Sequence, residues 1–392
     1  MTSAVMPTYA RAPVAFVKGE GCRLTARDGR TFLDFAAGIA VCALGHAHPR
    51  LVAALHEQAQ RLWHCSNLFE VEHQESVAAA LARLTFGELV FFANSGAEAN
   101  ECAIKIARRH HAAAGHPGRY RVLAFKGSFH GRTLATLAAA GNPKNLDGFG
   151  PVVDGFDHAP YGDLAAATAA VGPHTAAILV EPIQGEGGIK VPDPAFLKGL
   201  RALADKTGAL LMFDEVQCGM GRSGALFAHQ RVGVAPDVMT VAKGLAGGFP
   251  VAACVATRKA AAAMTAGSHA STFGGNPLAM RVAIEVLAIV AEPAFLARVA
   301  QAGQVLAAGL DALVARHPHL YAERRGVGLM QGLRCTLDPG TMADRLRDAG
   351  LLIAPAQDHV IRLVPPLIVS DAEIEEALLI LDAVARSALK AA

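Results

Sequence analysis

The sequence predicts an α/β fold in which a mostly parallel sheet is flanked by helices on both faces. Two apolar runs carry this prediction: residues 210–213 lead into Asp214, and residues 238–242 lead into Lys243. Short apolar runs bounded by glycine and charge are typical of strands buried on both faces of a parallel sheet. From about Pro49 onward such runs alternate with helical patterns, which indicates a sheet whose crossovers are helices.

The chain begins with a predicted hairpin. Residues 22–26 and 31–35 alternate apolar and polar side chains around Asp28-Gly29, a strong turn signal. The helices predicted next are 51–62, 72–84, 97–111 and 196–207, and the strands are 89–92, 120–125, 176–180, 210–213, 238–241 and 251–255. The last part contains predicted helices at 278–290, near 294–315, at 340–349 and at 371–390, with short strands at 332–335 and 360–364.

This change of pattern near residue 276 predicts two domains. Residues 49–275 are expected to form a large domain, and residues 1–48 and 276–392 together a smaller α+β domain. A chain of 392 residues has enough material for both.

Composition excludes several classes of protein. The formal net charge of +2, without blocks of like charge, argues against binding to nucleic acid. The seven cysteines occur singly and without a C-x-x-C spacing, so neither a disulfide framework nor a metal site is predicted, and a reducing cytoplasm fits best. No apolar run reaches the ~18 residues of a membrane span, and the first residues lack a secretory or transit pattern.

The two strand ends indicate the chemistry. Side chains at the carboxyl ends of parallel strands face the ligand crevice, so Asp214 and Lys243 are expected to meet there. Pyridoxal phosphate requires this pair, since a lysine amine forms its Schiff base and an acid keeps its pyridine nitrogen protonated.

Three further clusters follow predicted strands. The run Asn94-Ser95-Gly96-Ala97 opens a helix and presents free N–H groups that suit a phosphate. Residues 127–133 offer Phe129 to stack on a flat ring and Arg132 to bind a carboxylate. In the third cluster, residues 181–188, Glu186 can reach the crevice.

Two other classes of function compete with this interpretation. Residues 219–224 fit G-x-G-x-x-G, which suggests a dinucleotide-binding dehydrogenase, but the first glycine lies five residues beyond Asp214 and no ribose-binding acid follows at the required spacing. A non-enzymatic pyridoxal-phosphate sensor would carry a DNA-binding domain, for which the first ~50 residues are too few and too neutral.

The motifs resemble those of the class III pyridoxal-phosphate-dependent aminotransferases, which have fold type I. They occur in the family's order across the whole chain, at 95–101, 129–133, 181–188, 214–222, 242–245, 271–278 and 362–366. Residues 7–11 and 44–49 further resemble bacterial members that act on acetylornithine. The resemblance implies transfer of the δ-amino group of N2-acetyl-L-ornithine to 2-oxoglutarate, with succinylornithine, ornithine or 4-aminobutyrate as alternative donors.

The resemblance also assigns residues to the cofactor. Lys243 matches the Schiff-base lysine and Asp214 the partner of the pyridine nitrogen. Phe129 matches the stacking aromatic, and Gln217 the residue near the ring hydroxyl. The other positions that match cofactor contacts are Ser95, Gly96, Ala97, Glu215, Val216 and Thr272.

The same resemblance implies a homodimer with shared active sites and a substrate-binding set. Thr272 matches a phosphate contact supplied by the other subunit. Arg132 and Ser271 match substrate contacts. Arg362 matches the arginine that binds the α-carboxylate of glutamate, and Glu186 the acid that pairs with it when the other substrate is bound.

Overall fold

A seven-stranded sheet forms the centre of the structure. The structure is a computed structural model that describes residues 4–390. The outermost residues of the predicted terminal segments, 1–3 and 391–392, lie outside the described residues. The central sheet has the order β4-β10-β9-β8-β7-β5-β6. Its strands are β4 (Leu89–Ala93), β5 (Arg121–Phe125), β6 (Phe156–Ala159), β7 (Thr175–Val180), β8 (Leu210–Asp214), β9 (Val238–Val241) and β10 (Ala252–Ala256).

Most strand pairs of this sheet are parallel, as predicted. The pairs among β5, β6, β7, β8 and β9 are parallel, whereas β10 runs antiparallel to both of its neighbours, β4 and β9. The α/β fold class is therefore confirmed, with β10 as the reversed strand.

Helices cover both faces of the central sheet. Along β7, Ala177 and Leu179 pack with one set of buried side chains and Ile178 and Val180 with another, as the two-residue period of a strand requires. The helices are α1 (Ala37–Ala40), α2 (Pro49–Ala59), α3 (Gln74–Leu84), α4 (Gly96–Ala113), α5 (Leu134–Ala140), α6 (Pro143–Leu146), α7 (Leu164–Ala170), α8 (Pro194–Thr207), α9 (Ala228–Val232), α10 (Arg258–Ala261), α11 (Pro277–Val290), α12 (Pro293–Arg316), α13 (Pro339–Asp348) and α14 (Asp371–Lys390). Within residues 4–390, none of them is long and apolar enough to cross a membrane.

Two four-stranded sheets bring the beginning and the end of the chain together. The first has the order β1-β2-β3-β13 and the second β11-β12-β15-β14. Their strands are β1 (Phe16–Glu20), β2 (Arg23–Ala26), β3 (Thr31–Asp34), β11 (Tyr321–Val327), β12 (Met330–Cys335), β13 (Leu351–Leu352), β14 (Ala354–Pro355) and β15 (Val360–Leu363). The predicted hairpin is present as β2 and β3, and β13 pairs with β3 in parallel. We propose that these sheets belong to the smaller domain; its boundaries at 48 and 275 stay a prediction.

The segment after β3 contains an unusual backbone turn. The four residues of α1 have φ values of 48°, 64°, 66° and 62°, all in the left-handed region. The Asp34 carboxylate holds the start of this turn, since Oδ1 accepts the N–H groups of Ala36 at 3.0 Å and Ala37 at 2.8 Å. Asp34 Oδ2 also lies 2.7 Å from His46 Nε2, and this contact raises the pKa of His46 to about 9.

Candidate active site

A cavity of about 440 Å³ lies at the carboxyl ends of β8 and β9. Asp214 is the last residue of β8, and Lys243 follows the end of β9. Because these strands are parallel neighbours with Asp214 opposite Thr240, both side chains reach the same cavity. The predicted site residues that line it are Ser95, Gly96, Ala97, Phe129, Arg132, Asp214, Val216, Gln217 and Lys243.

The Asp214 carboxylate is buried and its orientation is fixed by three neighbours. Oδ2 accepts a hydrogen bond from Asn100 Nδ2 at 2.8 Å and is hydrogen-bonded to His130 Nδ1 at 2.7 Å. Oδ1 accepts the N–H of Val216 at 3.0 Å. Asn100 is itself held in place by the hydroxyl of Thr240, which donates to its Oδ1 at 2.9 Å.

Lys243 presents a free amine in a strained backbone position. Its φ of 43° is left-handed, and it begins a short 3-10 turn that ends at Ala246. Among residues 4–390, no hydrogen-bond or ion-pair partner is present for its Nζ. Burial lowers the pKa of this amine, and the Glu186 carboxylate partly opposes that effect. A lowered pKa favours the neutral amine, which can accept a proton.

The amino end of α4 forms one wall of the cavity and has the shape of an anion cradle. Ser95 caps the helix by accepting the N–H of Glu98 at 3.3 Å, and the first helical residues are Gly96 and Ala97. A Cβ added to Gly96 would lie 2.8 Å from a methyl carbon of Val216, so only glycine fits there. Free N–H groups and the helix dipole favour a phosphate at this position.

The residues present therefore fit pyridoxal phosphate. An anion cradle, a half-buried Phe129 ring, a fixed carboxylate and a free amine line one cavity. The cavity-lining His130 also has a buried Nε2 without a hydrogen-bond partner in the described structure, which leaves a polar atom to be satisfied. The guanidinium of Arg132 is exposed and lies 5.6 Å from the centre of the Phe129 ring.

Glu186 and Arg362 form an ion pair beside this cavity. Arg362 Nη1 donates to Glu186 Oε1 at 2.5 Å, and Nη2 donates to Oε2 at 3.0 Å. Arg362 is 1% exposed and also donates to Gln217 Oε1 at 3.1 Å and to the carbonyl of Pro355 at 2.8 Å. Since Gln217 lines the cavity, it connects the ion pair to the site.

Ser271 and Thr272 do not line the cavity of their own chain. The Ser271 hydroxyl accepts the N–H of Gly274 at 3.0 Å and Nδ2 of the cavity-lining Asn94 at 3.3 Å. Thr272 is exposed, and the neighbouring Phe273 is 59% exposed.

The Glu215 side chain lies apart from the other predicted site residues. It does not line the cavity, and its buried carboxylate accepts the N–H groups of Ala228 and His229 at the start of α9. The same carboxylate is hydrogen-bonded to His229 Nδ1 at 2.8 Å. The reason is that neighbouring residues at a strand end point in opposite directions, so Asp214 and Glu215 cannot both face the crevice.

Three cavity-lining polar residues were not singled out from the sequence: Asn100, His130 and Glu181. Each lies within a motif that follows a strand, and this position alone indicates a place near the crevice. Glu181 directly follows β7, and it is 4% exposed.

Comparisons with known proteins agree with this geometry. Residues 5–385 match the Aminotransferase class-III family. The chain is 56% identical over 376 residues to the acetylornithine aminotransferase of Mesorhizobium japonicum, covering 96% of this chain and 94% of that one. It is 52% identical over 387 residues to the acetylornithine aminotransferase of Rhodobacter capsulatus, covering 99% and 98%.

Solved structures show the same fold. The ornithine aminotransferase of Toxoplasma gondii ME49 superposes with a TM-score of 0.95 at 32% identity, covering 99% of this chain and 94% of that one. The N-acetylornithine aminotransferase of Stenotrophomonas maltophilia K279a gives a TM-score of 0.86 at 38% identity, covering 98% of each chain. The chain therefore belongs to the class-III aminotransferases, a family that depends on pyridoxal phosphate.

Proposed function

We propose that this enzyme transfers the δ-amino group of N2-acetyl-L-ornithine to 2-oxoglutarate, giving N-acetyl-L-glutamate 5-semialdehyde and L-glutamate, a step of arginine biosynthesis. The observation that carries the reaction type is the meeting of Asp214 and Lys243 in one cavity beside the Glu186–Arg362 ion pair. The donor is supported by relatives named acetylornithine aminotransferase that are 52–56% identical to this chain.

The cofactor is held by residues of both sheet and helix. Pyridoxal phosphate, when bound, withdraws electrons from the carbon that carries the reacting amino group. Ser95, Gly96 and Ala97 would bind its phosphate, and Phe129 would stack on its ring. Asp214 holds the proton on the ring nitrogen, and Asn100 and His130 keep this carboxylate in position.

Lys243 has two roles in this proposal. Its Nζ would hold the cofactor, and with the substrate amine in that place, Nζ would be free to accept and return the proton of the reacting substrate carbon. Burial lowers the pKa of this amine, so a larger share of it is in the neutral form that accepts a proton.

The Glu186–Arg362 pair distinguishes the two substrates. Acetylornithine brings an uncharged alkyl segment near the reacting amine, so Arg362 keeps Glu186 as its partner. Glutamate brings a carboxylate to this position, and Arg362 leaves Glu186 to bind it bidentately. Arg132 binds the other carboxylate of either substrate, and Ser271 contributes a further contact.

The active site is completed by a second subunit. Thr272 is exposed in one chain, and it would reach the phosphate of its partner's cofactor. Exposed apolar side chains on the same segment and near it, Trp63, Leu68, Phe69 and Phe273, offer a surface that two copies can bury. We place the homodimer in the cytoplasm, which is consistent with seven free cysteines.

A panel of amino donors tests the donor assignment. Acetylornithine, succinylornithine, ornithine and 4-aminobutyrate are each assayed with 2-oxoglutarate, and glutamate formation is measured. We expect the highest kcat/KM with acetylornithine. Ornithine is the second candidate because an ornithine aminotransferase superposes with a TM-score of 0.95, and a higher kcat/KM with ornithine would replace the proposed donor.

A further inference from the structure

The Glu181 side chain connects two loops that carry different parts of the site. Its Oε1 accepts the backbone N–H of Phe129 at 2.9 Å, and its Oε2 accepts the backbone N–H of Gly185 at 3.1 Å. Phe129 is the proposed stacking residue, and Gly185 directly precedes Glu186. One carboxylate therefore fixes the backbone of both loops.

Glu181 occupies an unusual environment for an acid. It is 4% exposed and lines the cavity, and among residues 4–390 no side chain forms an ion pair with it. Burial and the Asp214 carboxylate raise its pKa, while His130 and the two backbone N–H groups lower it. An isolated buried carboxylate is unfavourable, so its two hydrogen bonds are its main compensation.

The two loops are in close contact where Glu181 joins them. Gln184, which is fully buried, donates from Nε2 to the carbonyl of Lys126 at 3.1 Å and so makes a second connection. A Cβ added to Gly187 would lie 2.6 Å from the carbonyl oxygen of Gly127. With so little space between the loops, a change at Glu181 is transmitted to both of them.

We propose that Glu181 is a positioning residue. It fixes the loop that carries Phe129 (residues 127–133) relative to the loop that carries Glu186 (residues 181–188), so that ring stacking and substrate selection both depend on one carboxylate. This inference rests on the proposed function, because it assumes that Phe129 stacks on the cofactor and that Glu186 selects between substrates. Glu181 itself carries no proton of the reaction in this scheme.

Two substitutions at Glu181 separate the effect of side-chain length from the effect of charge. Glu181→Gln keeps the length but places an amide N–H₂ against one of the two backbone N–H groups, so one connection is lost. Glu181→Asp keeps the charge but is one methylene shorter, so it cannot reach both N–H groups. Asp237→Asn is the matched control, since Asp237 Oδ2 also accepts a backbone N–H, that of Leu211 at 2.8 Å, and does not line the cavity.

The measurements are the affinity of the apoenzyme for pyridoxal phosphate, the visible circular dichroism of the bound cofactor, and kcat/KM of each half-reaction. For both Glu181 variants we expect about ten-fold weaker cofactor binding, a reduced visible band, and a larger loss with acetylornithine than with glutamate. Asp237→Asn is expected to lower the unfolding temperature without these changes.

If both Glu181 variants match Asp237→Asn in cofactor affinity, visible band and substrate ratio, the inference is wrong. If only Glu181→Gln is impaired and Glu181→Asp matches wild type, the effect depends on the charge of Glu181 and not on the length of its side chain. That result also overturns the inference. Failure of the proposed function is seen separately, because wild-type enzyme would then transfer no amino group from acetylornithine.

Discussion

Glu186→Ala removes one partner of the ion pair that we assign to substrate selection. Within residues 4–390, the variant leaves the buried Arg362 with two neutral acceptors, Gln217 Oε1 at 3.1 Å and the carbonyl of Pro355 at 2.8 Å. When acetylornithine is bound, nothing replaces the lost carboxylate. When glutamate is bound, its own carboxylate does, and it no longer has to displace Glu186.

The size of this effect follows from the geometry. Removing one partner of a buried ion pair destabilises by about 3–5 kcal/mol. The Glu186 side chain is 26% exposed and two other acceptors remain for Arg362, so we expect the loss of Glu186 to cost about 2–3 kcal/mol. This corresponds to a change of about 30- to 150-fold in the ratio of the two kcat/KM values, in favour of glutamate.

Single-turnover kinetics of each half-reaction, followed by the cofactor's absorbance, measure this ratio. Arg362→Ala should change this ratio in the opposite direction, because it lowers kcat/KM for glutamate and 2-oxoglutarate. Arg132→Ala should lower kcat/KM in both half-reactions. Glu323→Ala is a suitable control because it removes the exposed carboxylate of a Glu–Arg pair outside the cavity. Equal losses in both half-reactions for Glu186→Ala and for Arg362→Ala would refute the switch.

Four further outcomes are expected. Lys243→Ala should retain cofactor non-covalently and lose amino transfer, so undiminished turnover would remove the assignment. Asp214→Asn should lower kcat by orders of magnitude with little change in circular dichroism of the backbone, because a neutral amide cannot keep the ring nitrogen protonated; near-normal activity would make Asp214 structural. Dilution below the dimerisation constant should release cofactor, more readily in Thr272→Ala, and a monomer with full activity would contradict this. The pKa of His46 is raised from 6.5 to about 9, so its contact with Asp34 stabilises the fold fully below about pH 6.5 and is lost as the pH rises through 9. His46→Gln should flatten this fall in unfolding temperature, and an unchanged pH profile would exclude His46 as its source.

The main features of the fold follow from local pattern. Strands β7, β8 and β9 are buried on both faces, so their apolar runs identify them directly. Strand β6 is not predicted because it lies at the edge of the sheet, pairs only with β5, and contains the polar residues Asp157 and His158. An edge strand of this kind has no continuous apolar run to indicate it.

The residues of the site likewise include some that a local pattern predicts and some that it does not. Asp214 and Lys243 can be predicted because each ends an apolar run. The hydrogen bonds from Asn100 and His130 to Asp214 depend on how α4 and the 127–133 loop pack against β8, which no local pattern specifies. The contact proposed for Thr272 needs a second chain and is beyond any pattern within one.

The left-handed turn at Ala37–Ala40 has a consequence for attempts to make this enzyme more heat-resistant. Three of its four residues are not glycine, and each left-handed L-residue is disfavoured by roughly 1–2 kcal/mol. Val41, which follows directly, lines the cavity, so this conformational strain adjoins the catalytic centre. Directed evolution for thermostability should therefore find relaxing substitutions in this turn, such as glycine at Ile39, and the variants that survive heat best should be poorer catalysts at moderate temperature.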